Sequence, residues 1–109
     1  MKLITAIVQD DDAGKVTNAL VKQGFRSTRL QSHGGFLRAK NSTILVGVED
    51  HHLDAALQVI RANCRTRTRS FSPLTHVGDL GEPLFPQPVD VEVGGATIFV
   101  TDVVHFERV

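Results

Sequence analysis

D-H-H-L-D-A-A-L-Q-V-I-R-A-N-C, residues 50–64, is the stretch on which the fold turns. Leu53, Ala56, Leu57, Ile60 and Cys64 recur at i, i+3, i+4, i+7 and i+11, so a helix wound through them carries one apolar stripe. Asp50 stands where a helix N-cap is expected. A helix with a single apolar face has to lay that face on another layer. Working outward, the layer is a sheet. T-I-L-V-G-V at 43–48 reads as a strand, and so does residues 25–31, with Arg26, Thr28 and Leu30 on one face and Phe25, Ser27 and Arg29 on the other.

Further upstream, Val16, Ala19, Leu20 and Gln23 take helical spacing, and Gly24 supplies the stop. Asp10, Asp11 and Asp12 precede that helix. Capping and the helix dipole explain them with less than a cation site does. Residues 2–9, K-L-I-T-A-I-V-Q, read as a strand buried on both faces. Downstream, periodicity vanishes from 65 to 88, where four prolines and two glycines interrupt the chain; a loop of that length in a small domain is usually functional. Val89, Val91 and Val93 then alternate with Asp90 and Glu92 as a strand. Gly94-Gly95 offers a two-residue hairpin turn, after which residues 96–100 pair back.

The order β-α-β-β-α-loop-β-β is that of an α+β, ferredoxin-like chain. It places two helices on one face of an antiparallel sheet, with a long loop between the second helix and the fourth strand. Residues 1–109 are expected to form one domain. Nothing in the order covers the second face of the sheet, which predicts oligomerisation.

Composition narrows the function. Twelve basic and twelve acidic residues leave no net charge, so no global field draws in nucleic acid. The absence of Trp and Tyr, with six Phe, argues against a broad base-stacking surface. One cysteine permits neither an intrachain disulfide nor a cysteine zinc site, and fits a reducing cytoplasm. No stretch is long and apolar enough for a membrane span, and the first ten residues do not read as a signal peptide. The expectation is a soluble, intracellular protein. His33, His51, His52, His76 and His105 lack ligand spacing, and no nucleophile–base pair or phosphate loop is present. An enzyme is not expected, nor is a cofactor or a bound metal.

Two stretches could hold a ligand. S-H-G-G-F-L-R-A-K-N-S-T-I-L-V-G-V, residues 32–48, joins glycine-borne backbone donors to an apolar platform (Phe36 and Leu37), an amide (Asn41) and a strand. It suits a flat, anionic, ring-bearing ligand, although a glycine-turn hairpin with Phe36 and Leu37 in the core reads the same way. Arg65, Arg67 and Arg69 would project to one side of an extended chain about 6–7 Å apart. They form either a solvated charge run or a comb for a phosphate or an acidic partner.

The 32–48 segment, with A-I-V-Q-D at 6–10, G-V-E-D at 47–50 and V-E-V-G-G-A-T-I-F-V at 91–100, resembles the PII-like cyclic-di-AMP receptor family over the whole chain. That resemblance implies a homotrimer with a cyclic dinucleotide in each inter-subunit cleft. It also implies loop ordering, in the glycine loop and in 65–88, that signals to a downstream protein. Arg26 and Thr28 would contact phosphate and ribose. Gly35, Phe36 and Leu37 would give backbone donors and an apolar wall for adenine. Asn41 would pair with the base, and Gly47 would let it approach the strand. Phe99 would close the pocket from the neighbouring subunit. Gly24 and Arg108 depart from the family's asparagine and glutamine, and Arg108 could add charge near a phosphate. His33 is also atypical, and H-V-G-D-L-G-E-P-L-F-P-Q-P at 76–88 departs from the common version while keeping Pro86-Gln87-Pro88. Two other readings of the same fold stay open: a PII-like sensor of another adenine nucleotide, and a CutA-like metal-binding or structural trimer using His51, His52 or the Asp10–Asp12 stretch.

Overall fold

A computed structural model describes residues 1–31, 40–71 and 89–109. Its elements run β1 (Lys2–Gln9), α1 (Asp10–Lys22), β2 (Ser27–Gln31), β3 (Asn41–Val48), a 3₁₀ turn (Asp50–His52) and α2 (Leu53–Ala62). Then follow β4 (Arg67–Phe71), β5 (Val89–Val93) and β6 (Ala96–Asp102). Four strands make an antiparallel sheet in the order β2-β3-β1-β6, the ferredoxin-like order with β6 in the fourth place. β4 and β5 pair with each other, apart from that sheet.

Period-two burial sorts the sheet. Ile4, Ala6 and Val8 of β1 and Ile44, Val46 and Val48 of β3 are buried. They pack under Val16 and Leu20 of α1, and under Ala56, Leu57 and Ile60 of α2 with Cys64 just beyond it. The expected stripe is therefore the core-facing stripe. Full burial of each large aliphatic there contributes about 1.5–3 kcal/mol. β1 is not buried on both faces as expected: Leu3, Thr5 and Ile7 are only half-buried, because both helices lie on the other side.

The helix starts differ from expectation. Gln9 is the N-cap of α1 and makes no side-chain cap bond; Asp10, Asp11 and Asp12 lie inside the first turn. The Asp10 N–H donates instead to the Lys40 carbonyl at 2.8 Å. The released carboxylates take tertiary partners. Ser42, fully buried, donates its hydroxyl to Asp10 Oδ1 at 2.5 Å and accepts Arg29 Nε–H at 3.0 Å. Arg67 donates to Asp12. Asp50 does not cap α2 either: His52 is the N-cap, and Asp50 pairs with the Met1 ammonium at 2.9 Å. At the other end of α1, Gly24 takes φ +85°, the left-handed stop that glycine adopts without strain.

The Gly94-Gly95 hairpin does not form. Both glycines take positive φ, +84° and +85°, as a tight turn would need, yet β5 pairs with β4 and β6 pairs with β1. β6 closes the open edge of β1 and brings Ile98 against the core, which outweighs a local return. The first part of the expected 65–88 loop is likewise a strand, β4, whose partner lies beyond residues 72–88. The register Arg67↔Val93, Thr68↔Glu92, Arg69↔Val91, Ser70↔Asp90 makes a two-faced ribbon. Arg67 and Arg69 share one face with the valines, and Asp90 and Glu92 share the other with two hydroxyls. Three contacts tie this arm down at its base: Arg67 to Asp12, the Gly94 N–H to Gln9 Oε1 at 2.8 Å, and the Gly95 N–H to the Cys64 carbonyl at 2.5 Å.

Candidate functional site

The sheet face turned away from the helices carries the candidate residues. Cross-strand register sets its rows: Thr28, Leu45, Thr5 and Phe99 lie side by side, as do Leu30, Thr43, Ile7 and Thr97. Leu30 is 47% exposed and Phe99 54%. Among the described residues no layer covers this apolar face, and exposed apolar faces of this kind mark interaction surfaces.

At one end of the face lies a cavity of about 570 Å³. Leu3, Leu45 and Gly47 come from β1 and β3, Thr28 from β2 and Arg26 from just before it, and Val103, Phe106 and Arg108 from the C-terminal tail, with Met1 beside them. The Val103 N–H donates to the Met1 carbonyl at 3.1 Å, which lays the tail along β1 and brings Phe106 and Arg108 to the rim. Two guanidiniums therefore stand over an apolar floor, and none of the described lining residues is acidic. Asp102 and Asp50 at this end of the sheet have partners of their own, whereas Glu49 lines the adjoining smaller recess. Lys2 pairs with Asp102, which raises the ammonium's pKa, and the Met1 ammonium holds the Asp50 carboxyl below its ordinary value. Gly47 has open space where a side chain would stand. A smaller recess of about 260 Å³ shares Met1, Arg26 and Gly47 and extends to Gly24 and His52.

Arg26, Thr28, Gly47 and Arg108 are thus brought together in one protomer. Asn41 and Phe99 are not. Asn41 sits six residues along β3 from Gly47, about 20 Å away, and Phe99 lies three strand spacings from Thr28, about 14 Å. Asn41 instead lines a second, polar cavity of about 300 Å³ with Gln9, Thr66, Gly94, Gly95 and Thr97. Gly35, Phe36 and Leu37 lie outside the described residues, as do His33, His76 and residues 72–88 of the long loop.

Sequence reading missed Leu3, Leu45, Val103 and Phe106. On β1 and β3 such residues look like ordinary strand positions, and only Phe106, two residues from a tail arginine, offered a local cue.

The arginine comb is not uniform. Arg67 is committed to Asp12 and Arg65 lies before β4, so only Arg69 and Arg67 share the ribbon face. Cys64 is buried and donates its S–H to the Ile60 carbonyl at 2.9 Å; burial, and then the charge of Asp12, push its pKa up. A packed thiol of that kind is a poor nucleophile. Among the described residues no group of three or more His, Cys, Asp or Glu side chains is placed to hold a metal ion. His51 and His52 stack on each other at 4.0 Å, and His52 meets the edge of Phe25 at 6.0 Å. No helix among the described residues is long and apolar enough to cross a membrane.

Comparison with known proteins gives two findings. A family model described as cyclic-di-AMP receptor matches residues 1–109. A crystal structure of a functionally unknown protein from Pediococcus pentosaceus is 35% identical, with a TM-score of 0.78. The match covers 99% of this chain and 96% of that one.

Proposed function

We propose that this chain, which belongs to the cyclic-di-AMP receptor family, is a cytoplasmic PII-like signal receptor and not an enzyme. Its 109 residues act as one unit, and three copies assemble with their open sheet faces inward. Cyclic-di-AMP occupies each cleft between neighbours. Arg26 and Arg108 meet the two phosphodiesters, and Thr28 adds a shorter hydroxyl bond. Gly47 leaves room for a base over Leu3 and Leu45. Gly35, Phe36, Leu37, Asn41 and Phe99 complete the cleft, the neighbouring subunit supplying those that lie beyond the reach of one protomer. A partner protein reads the ligand-dependent change.

The observation that carries this reading is the pairing of Arg26 and Arg108 on one 570 Å³ cavity with an apolar floor and, among the described residues, no acidic lining. Guanidiniums offer planar forks of donors to phosphate oxygens, and two of them on one cavity favour a ligand with two negative charges. The floor suits a purine face better than a sugar or a free inorganic anion.

Gly24 favours a second reading, a receptor for a different adenine nucleotide. Its position at the edge of the smaller recess is open, with no atom of the described residues within 4 Å of where a side chain would begin, so the hydrogen-bonding group that the family resemblance implies is missing there. Calorimetry with cyclic-di-AMP, cyclic-di-GMP, ATP and AMP, beside a light-scattering mass, separates the two. The first reading expects a trimer that binds cyclic-di-AMP tightest, one molecule per protomer. A monomer, or heat only with ATP or AMP, overturns it.

A further inference from the structure

We propose that Gln9 couples the ligand site to the β4–β5 arm, by donating to a nucleobase edge with its amide nitrogen while its amide oxygen holds the arm's glycine hinge. The inference rests on the cyclic-dinucleotide reading above and adds a residue and a direction of signalling to it.

Gln9 ends β1, and its cross-strand partner is Asn41. Both line the 300 Å³ cavity, and so do Thr66, Gly94 and Gly95 at the base of the arm. The Gly94 N–H donates to Gln9 Oε1 at 2.8 Å. That bond fixes the amide's orientation, because a backbone N–H requires an oxygen. The two hydrogens of Gln9 Nε2 remain, and among the described residues neither has a partner. The described lining is neutral and mostly polar: two side-chain amides, Thr66, Thr97 and glycine backbone, with Ile7 and Ala96 beside them. The nearest guanidinium, Arg67, is occupied by Asp12. Such a cavity takes an uncharged donor–acceptor edge, as a nucleobase presents, and not a phosphate.

The hinge leaves little slack. A Cβ at Gly94 would stand 2.5 Å from both the Arg65 carbonyl oxygen and Arg67 Nη1, so the arm's base is packed against its own first strand. A group bonded to the Asn41 and Gln9 amides thus touches the hinge directly. Polarising the Gln9 amide from its nitrogen strengthens its oxygen as an acceptor for Gly94, since linked hydrogen bonds reinforce one another. Occupancy then tightens the arm without any movement of the sheet. In this role Gln9 contacts the ligand and positions the arm through the same amide.

The test combines calorimetry with amide hydrogen exchange on the full chain, with and without cyclic-di-AMP, for wild type, Gln9→Glu and Gln9→Ala. In wild type, ligand should raise protection of the β4 and β5 amides about tenfold, the response of a local opening made rarer. Gln9→Glu keeps an oxygen for Gly94 and loses the donor. It should show wild-type arm protection without ligand and no rise with it, while α1 amides stay unchanged. Gln9→Ala should loosen the arm even without ligand; if that variant does not fold, Gln9→Glu alone decides. A full ligand-induced rise in Gln9→Glu overturns the coupling, as does wild-type binding with no rise at all. Absence of binding heat in wild type overturns the cyclic-dinucleotide reading itself, and this inference with it.

Discussion

Arg67 grips Asp12 by both carboxylate oxygens, Nη2 to Oδ1 at 2.8 Å and Nη1 to Oδ2 at 3.2 Å, across 55 residues of chain. The Asp12 side chain is only 6% exposed, whereas Arg67 is half in solvent. The pair fastens the first residue of the arm to the first turn of α1. The Arg67 guanidinium, bonded to that carboxylate, is held above its ordinary pKa and stays charged.

Arg67→Ala should therefore lower the melting temperature by several degrees, because it leaves an almost fully buried carboxylate without a partner. Arg69→Ala, two residues along the same strand face, should leave it unchanged. Thermal denaturation followed by circular dichroism compares the two, and equal shifts would show the grip to be unimportant.

Arg26→Ala should weaken cyclic-di-AMP binding by about 1.5–3 kcal/mol, the cost of a lost charged hydrogen-bond partner, with the oligomer intact. Arg108→Gln should cost less and flatten the salt dependence of affinity, since a rim charge acts through a screened field. Titrations at two salt concentrations read both effects. Unchanged affinity in Arg26→Ala would remove that residue from the site.

Gly47→Leu separates binding from folding. Among the described residues no atom lies within 4 Å of the added Cβ, so the side chain starts into open space and the denaturation midpoint should move little. The same side chain fills cavity volume, and affinity should fall tenfold or more, about 1.4 kcal/mol at least. Retained affinity would mean that the ligand does not use this cavity.

Gly94→Ala and Gly95→Ala should differ. Both positions have φ near +85°, a strain of about 1 kcal/mol for alanine. At Gly94 the new methyl also meets a backbone carbonyl at 2.5 Å, whereas at Gly95 it meets the Thr66 hydroxyl at 2.9 Å, which can rotate away. Chemical denaturation should rank Gly94→Ala as clearly the worse.

Cys64 should resist alkylation. Burial raises its pKa, so the native thiol remains protonated and inert where an exposed thiol reacts. The sign for stability follows from linkage: the contribution of the protonated thiol is complete below the unfolded thiol's pKa. It is lost as pH rises from there through the raised native value. Iodoacetamide at pH 8 should label the unfolded chain quickly and the native one slowly. A native rate matching the unfolded one would contradict this burial.

Much of the fold was legible because it rests on local periodicity. The Leu53–Cys64 stripe, the β-rich run of β3 and the Gly24 stop are each written within a few residues. The arm was not legible. R-T-R-S-F has no apolar face of its own and becomes a strand only by pairing with V-D-V-E-V, whose distance in the chain hides the match. Gly94-Gly95 misled for a related reason: a diglycine signals positive φ, and it does not say which strand the chain will join next. Asp10–Asp12 and Asp50 read as caps because a cap is a local explanation, whereas Ser42, Arg67 and the Met1 ammonium are partners that only the fold supplies. At the site, Arg26, Thr28, Gly47 and Arg108 were named through the family resemblance, whereas Leu3, Leu45 and Phe106 became lining only once three chain segments had converged.

The ribbon register has one more effect. Its two guanidiniums and two carboxylates cancel in sum but lie on opposite sides. The arm is therefore an electrical lever with a positive broadside and a negative broadside. Because the base of the arm is anchored, a docking neighbour meets one sign or the other according to the side from which it approaches.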